Sequence, residues 1–322
     1  MNSSIPFKVA IILIPGFSLM SFSSLVEPMR GANRATGKTV FKWVLASPDG
    51  GTVFASNGMS VGTEICSLVE TSPFDLVVIC GGQEDESYVN RRLRETLRQL
   101  RRREIMIGSV STGTFILAEA GILDDRRCTT HWDYIEAFRE AYPRIDVCNE
   151  LFVMDRKIFT CAGGIAALDV MLLIIRNICG VDIANLVSEN FVYGTIREAH
   201  DNQRMSLRLR LGVTHPTLLI AVAAMEANTE APLRLPDIAR QIGLSQRQLE
   251  RLFRERMGVT AIRYYSRLRL EKARRLLRRS SMSVLEIAVA SGFTSASHFS
   301  RSFRQQFGIS PSAARNEAPP TD

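Results

Sequence analysis

The sequence predicts two domains of different class: an N-terminal α/β domain on a mostly parallel sheet, and a C-terminal all-α domain with two helix-turn-helix units. Three observations predict it. Short β-branched apolar runs alternate with helical patterns through residues 7–178, the mark of a sheet covered by helices on both faces. A helix, glycine turn and second helix recur at an offset of 49 residues before the turn and 50 beyond it. From Asn228 onward there are 17 Lys and Arg against 8 Asp and Glu, a balance of +9, whereas the rest carries 23 against 25.

Residues 7–14, FKVAIILI, form a continuous apolar run and predict a strand buried on both faces. Pro15, Gly16 and Phe17 turn the chain into a helix over 19–33. Residues 41–46 and 52–55 predict strands joined by a hairpin-type turn at Asp49, Gly50 and Gly51. Residues 75–80, DLVVIC, are another buried strand, ending in Gly81 and Gly82. The helix at 91–103 carries many Arg, most simply a solvated face. Residues 105–110 form the next strand, which enters Ser111, Thr112 and Gly113 and a helix through Ala120. Strands follow at 128–130, 151–154 and 158–161, with His131 and Trp132 at the end of the first and a helix near 134–141 between. Ala162, Gly163 and Gly164 lead into an apolar helix at 165–178, and a helix over 181–200 closes the domain. The domains are expected at 1–200 and 216–313, with a polar, basic linker at 201–215 and a disordered tail at 314–322.

In the C-terminal domain, a helix at 216–228 and a loop at 229–232 precede the repeats. Ile238, Ala239, Gly243, Leu244, Leu249, Arg251, Phe253, Arg254 and Gly258 recur as Ile287, Ala288, Gly292, Phe293, Phe299, Arg301, Phe303, Arg304 and Gly308. In the second copy Ser295 caps a helix whose Phe299, Phe303 and Phe307 share one face, leaving Ala296, Ser297, Ser300, Arg301 and Arg304 on the other. An aromatic core face opposite a small, polar, basic face suits a DNA major groove. Residues 261–279 between the copies are strong helix formers, a rod about 28 Å long. One turn of duplex spans roughly 34 Å, so such a rod can hold two recognition helices in successive major grooves.

With 46% hydrophobic and 23% charged residues, the 322-residue chain has the composition of an ordinary globular protein. Its basic C-terminal segment predicts double-stranded DNA as partner, with binding that weakens steeply with salt. The six cysteines are scattered without close pairs, so neither a disulfide framework nor a metal site is expected, and no cofactor is implied. A signal peptide and a membrane-spanning run are not expected either, which places the protein in the cytoplasm.

Residues 216–311, and above all GFTSASHFSRSFRQQFGISP at 292–311, resemble the AraC/XylS family of bacterial transcription regulators. The resemblance implies base-reading positions at Gln246, Arg247, Glu250 and Arg251 in the first recognition helix, and Ala296, Ser297, Ser300 and Arg301 in the second. Chemistry favours Arg247, Arg251 and Arg301, since a guanidinium bonds guanine bidentately or grips a phosphate. Ala296 offers only a methyl contact to thymine, and Glu250 only an acceptor for cytosine.

The strand ends in the first half carry Gly81 and Gly82, Ser111 and Thr112, His131 and Trp132, and Cys161 to Gly164. Their order resembles the PfpI-type branch of the class I glutamine-amidotransferase-like superfamily, which implies a flavodoxin-like sandwich. With the C-terminal match the whole chain resembles GlxA-type regulators. Catalytic members place a cysteine at the strand-to-helix elbow and an acid after the first strand; here those positions hold Ser111 and Ser21, and only His131 matches. A serine needs a base and the base an orienting partner, and no such partner is legible. The expectation is a non-catalytic sensor whose effector contacts Gly82, Ser111, Thr112, His131, Trp132, Cys161 and Gly163. Trp132 suits a cation by cation–π attraction, with core packing as the alternative role. Resemblance implies an amino acid or quaternary amine as effector, homodimerisation, and activation of catabolic genes through RNA polymerase. A serine-dependent amidase or hydrolase fused to a DNA-binding domain is the competing reading.

Overall fold

The structure, a computed structural model, describes residues 5–82 and 91–316. The chain divides into two compact units at Gln203 and Arg204.

In the first unit an eight-stranded sheet has the order β3-β4-β2-β1-β5-β6-β10-β9. Its centre is parallel: β1 (Phe7–Leu13) lies between β2 (Phe41–Ser47) and β5 (Leu76–Cys80), and β6 (Met106–Val110) joins β5 to β10 (Ile158–Cys161). Alternation along β1 shows why its run is apolar throughout. Val9, Ile11 and Leu13 face one core layer, with α1 (Leu19–Thr36), α6 (Ala166–Cys179) and α7 (Val181–Asn190) packed together on that side. Ala10, Ile12 and Ile14 face the other, with α3 (Arg91–Arg102), α4 (Gly113–Glu119) and α5 (Ile135–Ala141).

The structure departs from the sequence expectations at five places in this unit and the junction that follows it. The turn at Asp49 to Gly51 does not close a hairpin between β2 and β3 (Gly51–Phe54). Instead β4 (Ser60–Ile65) pairs in parallel with β2 and antiparallel with β3, inserting between them. Gly50 makes room for that arrangement, because a Cβ there would lie 3.1 Å from the Ile65 backbone nitrogen. Second, β7 (Arg127–Thr129) stays outside the main sheet, paired in parallel only with β8 (Asp146–Cys148), so His131 and Trp132 follow a strand of a separate two-stranded sheet. Antiparallel β9 (Phe152–Asp155) closes the main sheet's edge.

Third, the helix expected over 181–200 stops at Asn190. Val192 turns to φ 55, and Tyr193 folds back so that its carbonyl accepts from Ser188 Oγ at 2.7 Å. The segment beyond is bonded to the domain instead. Asp169 of α6, fully buried, accepts from Tyr193 Oη at 2.9 Å, from the Arg197 backbone N–H at 2.9 Å, and from the Arg197 guanidinium at 2.7 Å. Fourth, the expected linker 201–215 is largely packed. Gln203 Nε2 donates to Thr129 Oγ1, Thr130 O and Glu150 O at 2.8 to 2.9 Å, and α8 (Leu207–Leu211) lays Leu207 and Leu211 on the core of the second unit. Fifth, the arginines of α3 are not simply solvated. Arg98 and Arg101 donate to Ala120 O and Gly121 O, carbonyls at the end of α4, while Arg103 donates to Glu70 O.

The second unit is all-α. It comprises α9 (Pro216–Ala227), α10 (Leu235–Gln241), α11 (Gln246–Met257), α12 (Ala261–Arg279), α13 (Val284–Ala290), α14 (Ala296–Phe307) and α15 (Pro311–Asn316), besides α8. The helix α12 spans the two repeats: Ala261, Tyr264 and Tyr265 enter the first core, Leu270, Ala273, Leu276 and Leu277 the second. The expected disordered tail begins too early. Ala314 is fully buried, and Arg315 donates to Met282 O; the rest of that tail, 317–322, lies outside the described residues.

Candidate nucleic-acid interface and effector site

Each recognition helix is held by a core face and an N-cap. In α11, Ser245 Oγ accepts from the Gln248 N–H while Gln248 Oε1 accepts from the Ser245 N–H, a capping box, and Leu249 and Phe253 are fully buried. In α14, Ser295 Oγ accepts from the His298 N–H, and Phe299 and Phe303 are fully buried. Gln246, Arg247 and Arg251 on α11, and Ala296, Ser297, Arg301 and Arg304 on α14, are consequently exposed, and Ser300 is half-buried. Arg251 lies 3.7 Å from Glu255 one turn on, an exposed pair that phosphate or guanine can displace at little cost.

Glu250 has a task within the fold besides the base contact expected of it. Its Oε2 accepts from the Ala261 N–H at 3.0 Å, satisfying a donor at the start of α12. The repeat shows the logic: fifty residues on stand Ser300 and Pro311, and Pro311 has no N–H to satisfy. That comparison was available in the sequence; the chain path bringing residue 250 to residue 261 was not.

The candidate effector site is built around Ser111. Directly after β6 its backbone adopts φ 57, the left-handed region, and its N–H donates to Cys161 O at 3.0 Å. Glycine lines the approach: a Cβ on Gly163 would lie 2.9 Å from both Ser111 Cβ and Ser21 Oγ. Thr130 Oγ1 donates to Ser111 O at 2.9 Å, which brings the β7 end beside the elbow although β7 is outside the main sheet. The His131 and Trp132 rings lie 5.5 Å apart, His131 and Tyr134 6.2 Å, and His131 Nδ1 accepts from the Asp133 N–H at 3.3 Å. Trp132 is half-buried and packs on the core behind it, the alternative role considered for it.

Two of the residues expected to contact the effector are buried and bonded within the fold. Cys161 is fully buried, its Sγ accepts from the Gly163 N–H, and burial pushes its thiol up to about 12. Gly82 is packed against the chain, with a Cβ there only 2.2 Å from Gly16 C, and its carbonyl accepts from Thr112 Oγ1. Ser21, the position at which the resemblance implies an acid in catalytic members, is fully buried and its Oγ accepts from the Gly164 N–H at 2.7 Å. A hydroxyl so placed holds the glycine loop and carries no carboxylate chemistry.

A serine at φ 57 costs roughly 1 to 2 kcal/mol relative to the usual backbone regions. Ser111→Gly should therefore keep or raise stability, by about 1 kcal/mol at most after glycine's extra chain entropy. Chemical denaturation measures this, and a loss beyond about 1 kcal/mol would show that the side chain itself holds the elbow together.

Comparison with known proteins bears on both units. Residues 7–177 match the DJ-1/PfpI family, and residues 238–317 match a helix-turn-helix domain family. The chain is 44% identical over 308 residues to the HTH-type transcriptional regulator CdhR of Pseudomonas aeruginosa, covering 96% of this chain and 91% of that protein. It belongs to the HTH-type transcriptional regulators with a DJ-1/PfpI domain. The regulator GlxA of Rhizobium meliloti is 39% identical, covering 97% of this chain and 96% of its own. Among solved structures, that of an AraC family transcriptional regulator from Pseudomonas putida superposes with a TM-score of 0.53 at 27% identity, covering 58% of this chain and 100% of that one. The protein is thus a DNA-binding transcription regulator. Among the described residues no helix is long and apolar enough to cross a membrane, and no group of three or more His, Cys, Asp or Glu is placed to hold a metal.

Proposed function

We propose that the DJ-1/PfpI domain is a non-catalytic sensor for a small amino acid or quaternary amine, and that its occupancy controls how the C-terminal unit engages DNA. The observation that carries this reading is an elbow that keeps its left-handed Ser111 while the acid position holds Ser21, bonded to the Gly164 N–H. In this reading the Ser111 hydroxyl meets the effector's carboxylate and the His131, Trp132 and Tyr134 rings face its cationic end, an attraction worth roughly 0.5 to 2 kcal/mol. Gln203, the last residue of the first unit, is bonded to Thr130, itself bonded to Ser111, so the effector site and the unit boundary share a short chain of hydrogen bonds.

The regulator acts as a homodimer in this reading, for which Ile178, Val181 and Leu186, exposed on α6 and α7, offer apolar surface. Arg247, Arg251, Ala296, Ser297 and Arg301 face DNA, and the regulator activates transcription through RNA polymerase. Control requires the effector to bind two arrangements of the chain unequally.

Calorimetric titration of the full chain with amino acids, polyamines and quaternary amines tests the sensor. Binding weakened about tenfold by Trp132→Ala, for a cationic ligand, is expected. If every bound compound ignores both Ser111→Ala and Trp132→Ala, the site is elsewhere. The elbow also favours a second reading, serine-dependent hydrolysis, which would show as turnover abolished by Ser111→Ala with DNA binding intact.

A further inference from the structure

The two helix-turn-helix units meet along one stripe of α12. Tyr265, Arg269 and Lys272 stand at i, i+4 and i+7, on one face of the helix. Tyr265 Oη donates to Asn228 O and accepts from the Leu233 N–H, which fixes both ends of the loop that leads into the first helix-turn-helix. Lys272, almost wholly buried, lies 3.9 Å from Glu230 of the same loop. Arg269, between them, reaches the other way. Its Nε donates to Ser291 O at 2.9 Å and its terminal nitrogen to Gly292 O at 2.5 Å, and its guanidinium stacks 4.2 Å over the Phe293 ring.

The two anchored segments also touch each other. A Cβ on Gly292 would lie 2.6 Å from Pro232 Cγ, 2.7 Å from Thr229 O and 2.8 Å from Glu230 O. The matching turn glycine of the first repeat, Gly243, has nothing within 4 Å. The second turn is therefore wedged against the loop that precedes the first helix-turn-helix, whereas the first turn is open. This contact does not follow from the repeat.

We propose that Arg269 is a positioning residue for operator-spacing specificity: by clamping the Ser291–Gly292 turn to α12 against the loop 229–232, it sets the rise and phase between α11 and α14. One base pair rotates a sub-site by about 34 to 36° and moves it about 3.4 Å along the duplex. A rigid pair of recognition helices cannot follow such a change without losing contacts from one of them. Arg269 contributes no base contact of its own.

The test uses the full chain and duplexes that the wild-type protein selects from random DNA, with one base pair inserted or deleted between the two sub-sites. Affinity is read by fluorescence anisotropy at several salt concentrations. Wild type should discriminate the selected spacing from both altered ones by about tenfold or more. Arg269→Met keeps the apolar stem and loses both carbonyl bonds; its affinities across the series should converge to within about threefold. Arg269→Lys, whose ammonium cannot fork between two carbonyls while stacking, should fall between and serves if the Met variant does not fold. The salt dependence at the selected spacing should match wild type, since no phosphate contact is removed. The proposal is overturned if wild type tolerates all spacings, if a folded variant keeps the full wild-type preference, if affinity drops by one factor at every spacing, or if the salt slope falls by about one.

Discussion

Gly292→Ala should abolish specific DNA binding, with a loss of about 100-fold or more, while the matching Gly243→Ala should be mild. Both glycines are left-handed, φ 73 and φ 71, so each substitution carries a backbone cost of roughly 1 to 2 kcal/mol. Only at Gly292 does the new methyl also meet two carbonyl oxygens and Pro232 at under 3 Å. Forcing atoms into such a packed site adds roughly 1 to 3 kcal/mol, and relief by movement would displace the turn that presents α14. Together these reach about 3 kcal/mol, which is the 100-fold if it appears in binding. Thermal melting and anisotropy on the same selected duplex measure both variants. Equal losses for the two would mean that the contact with loop 229–232 has no energetic weight.

Asp169→Ala should destabilise the first unit by about 3 kcal/mol and release residues 191–203. The carboxylate is fully buried and serves Tyr193 Oη, the Arg197 backbone N–H and the Arg197 guanidinium. Removing one member of a buried pair typically costs 3 to 5 kcal/mol. Arg197 retains 36% exposure and can rehydrate, which argues for the lower end. Asp169→Asn, which keeps an acceptor for the hydroxyl and the N–H, should lose less. Denaturant titration gives the energies, and hydrogen exchange should show faster opening of 191–203 in the Ala variant. Unchanged exchange there would separate Asp169 from the anchoring of the inter-unit segment. The Gln203 contacts at Thr129 and Thr130 lie on the same segment, so the effector response that we propose should weaken in the Ala variant even where DNA binding survives.

Much of the helix-turn-helix pair is visible in residue order because the interactions that create it are local. The capping box Ser245 to Gln248, the caps at Ser295 and Thr260, and the aromatic spacing Phe299 to Phe303 each operate within one or two helical turns. The apolar runs of β1 and β5 are read easily because burial on both faces removes polar positions. By contrast β4 alternates half-buried and exposed residues, with Gly62 and Thr63 among them, and leaves no comparable run. Glu250 is a base-reading position only by resemblance, and its chemistry favours it less than the arginines; the Ala261 N–H that it serves is eleven residues away and comes within reach only when α12 folds back.

Sequence alone was sufficient for two domain classes, the doubled helix-turn-helix, the length of α12 and the unusual Ser111 elbow, since all of these follow from short-range periodicity, capping and composition. Tertiary structure decided which of those residues work together. It brought Ser21, Ser111 and Gly163 into contact, drew Cys161 into the core, anchored 191–203 to Asp169, and wedged Gly292 against the loop 229–232 under Arg269. The physical reason is that hydrogen-bond donors and close-packed atoms are satisfied by whatever the folded chain places within a few ångströms, and sequence separation carries no record of that distance.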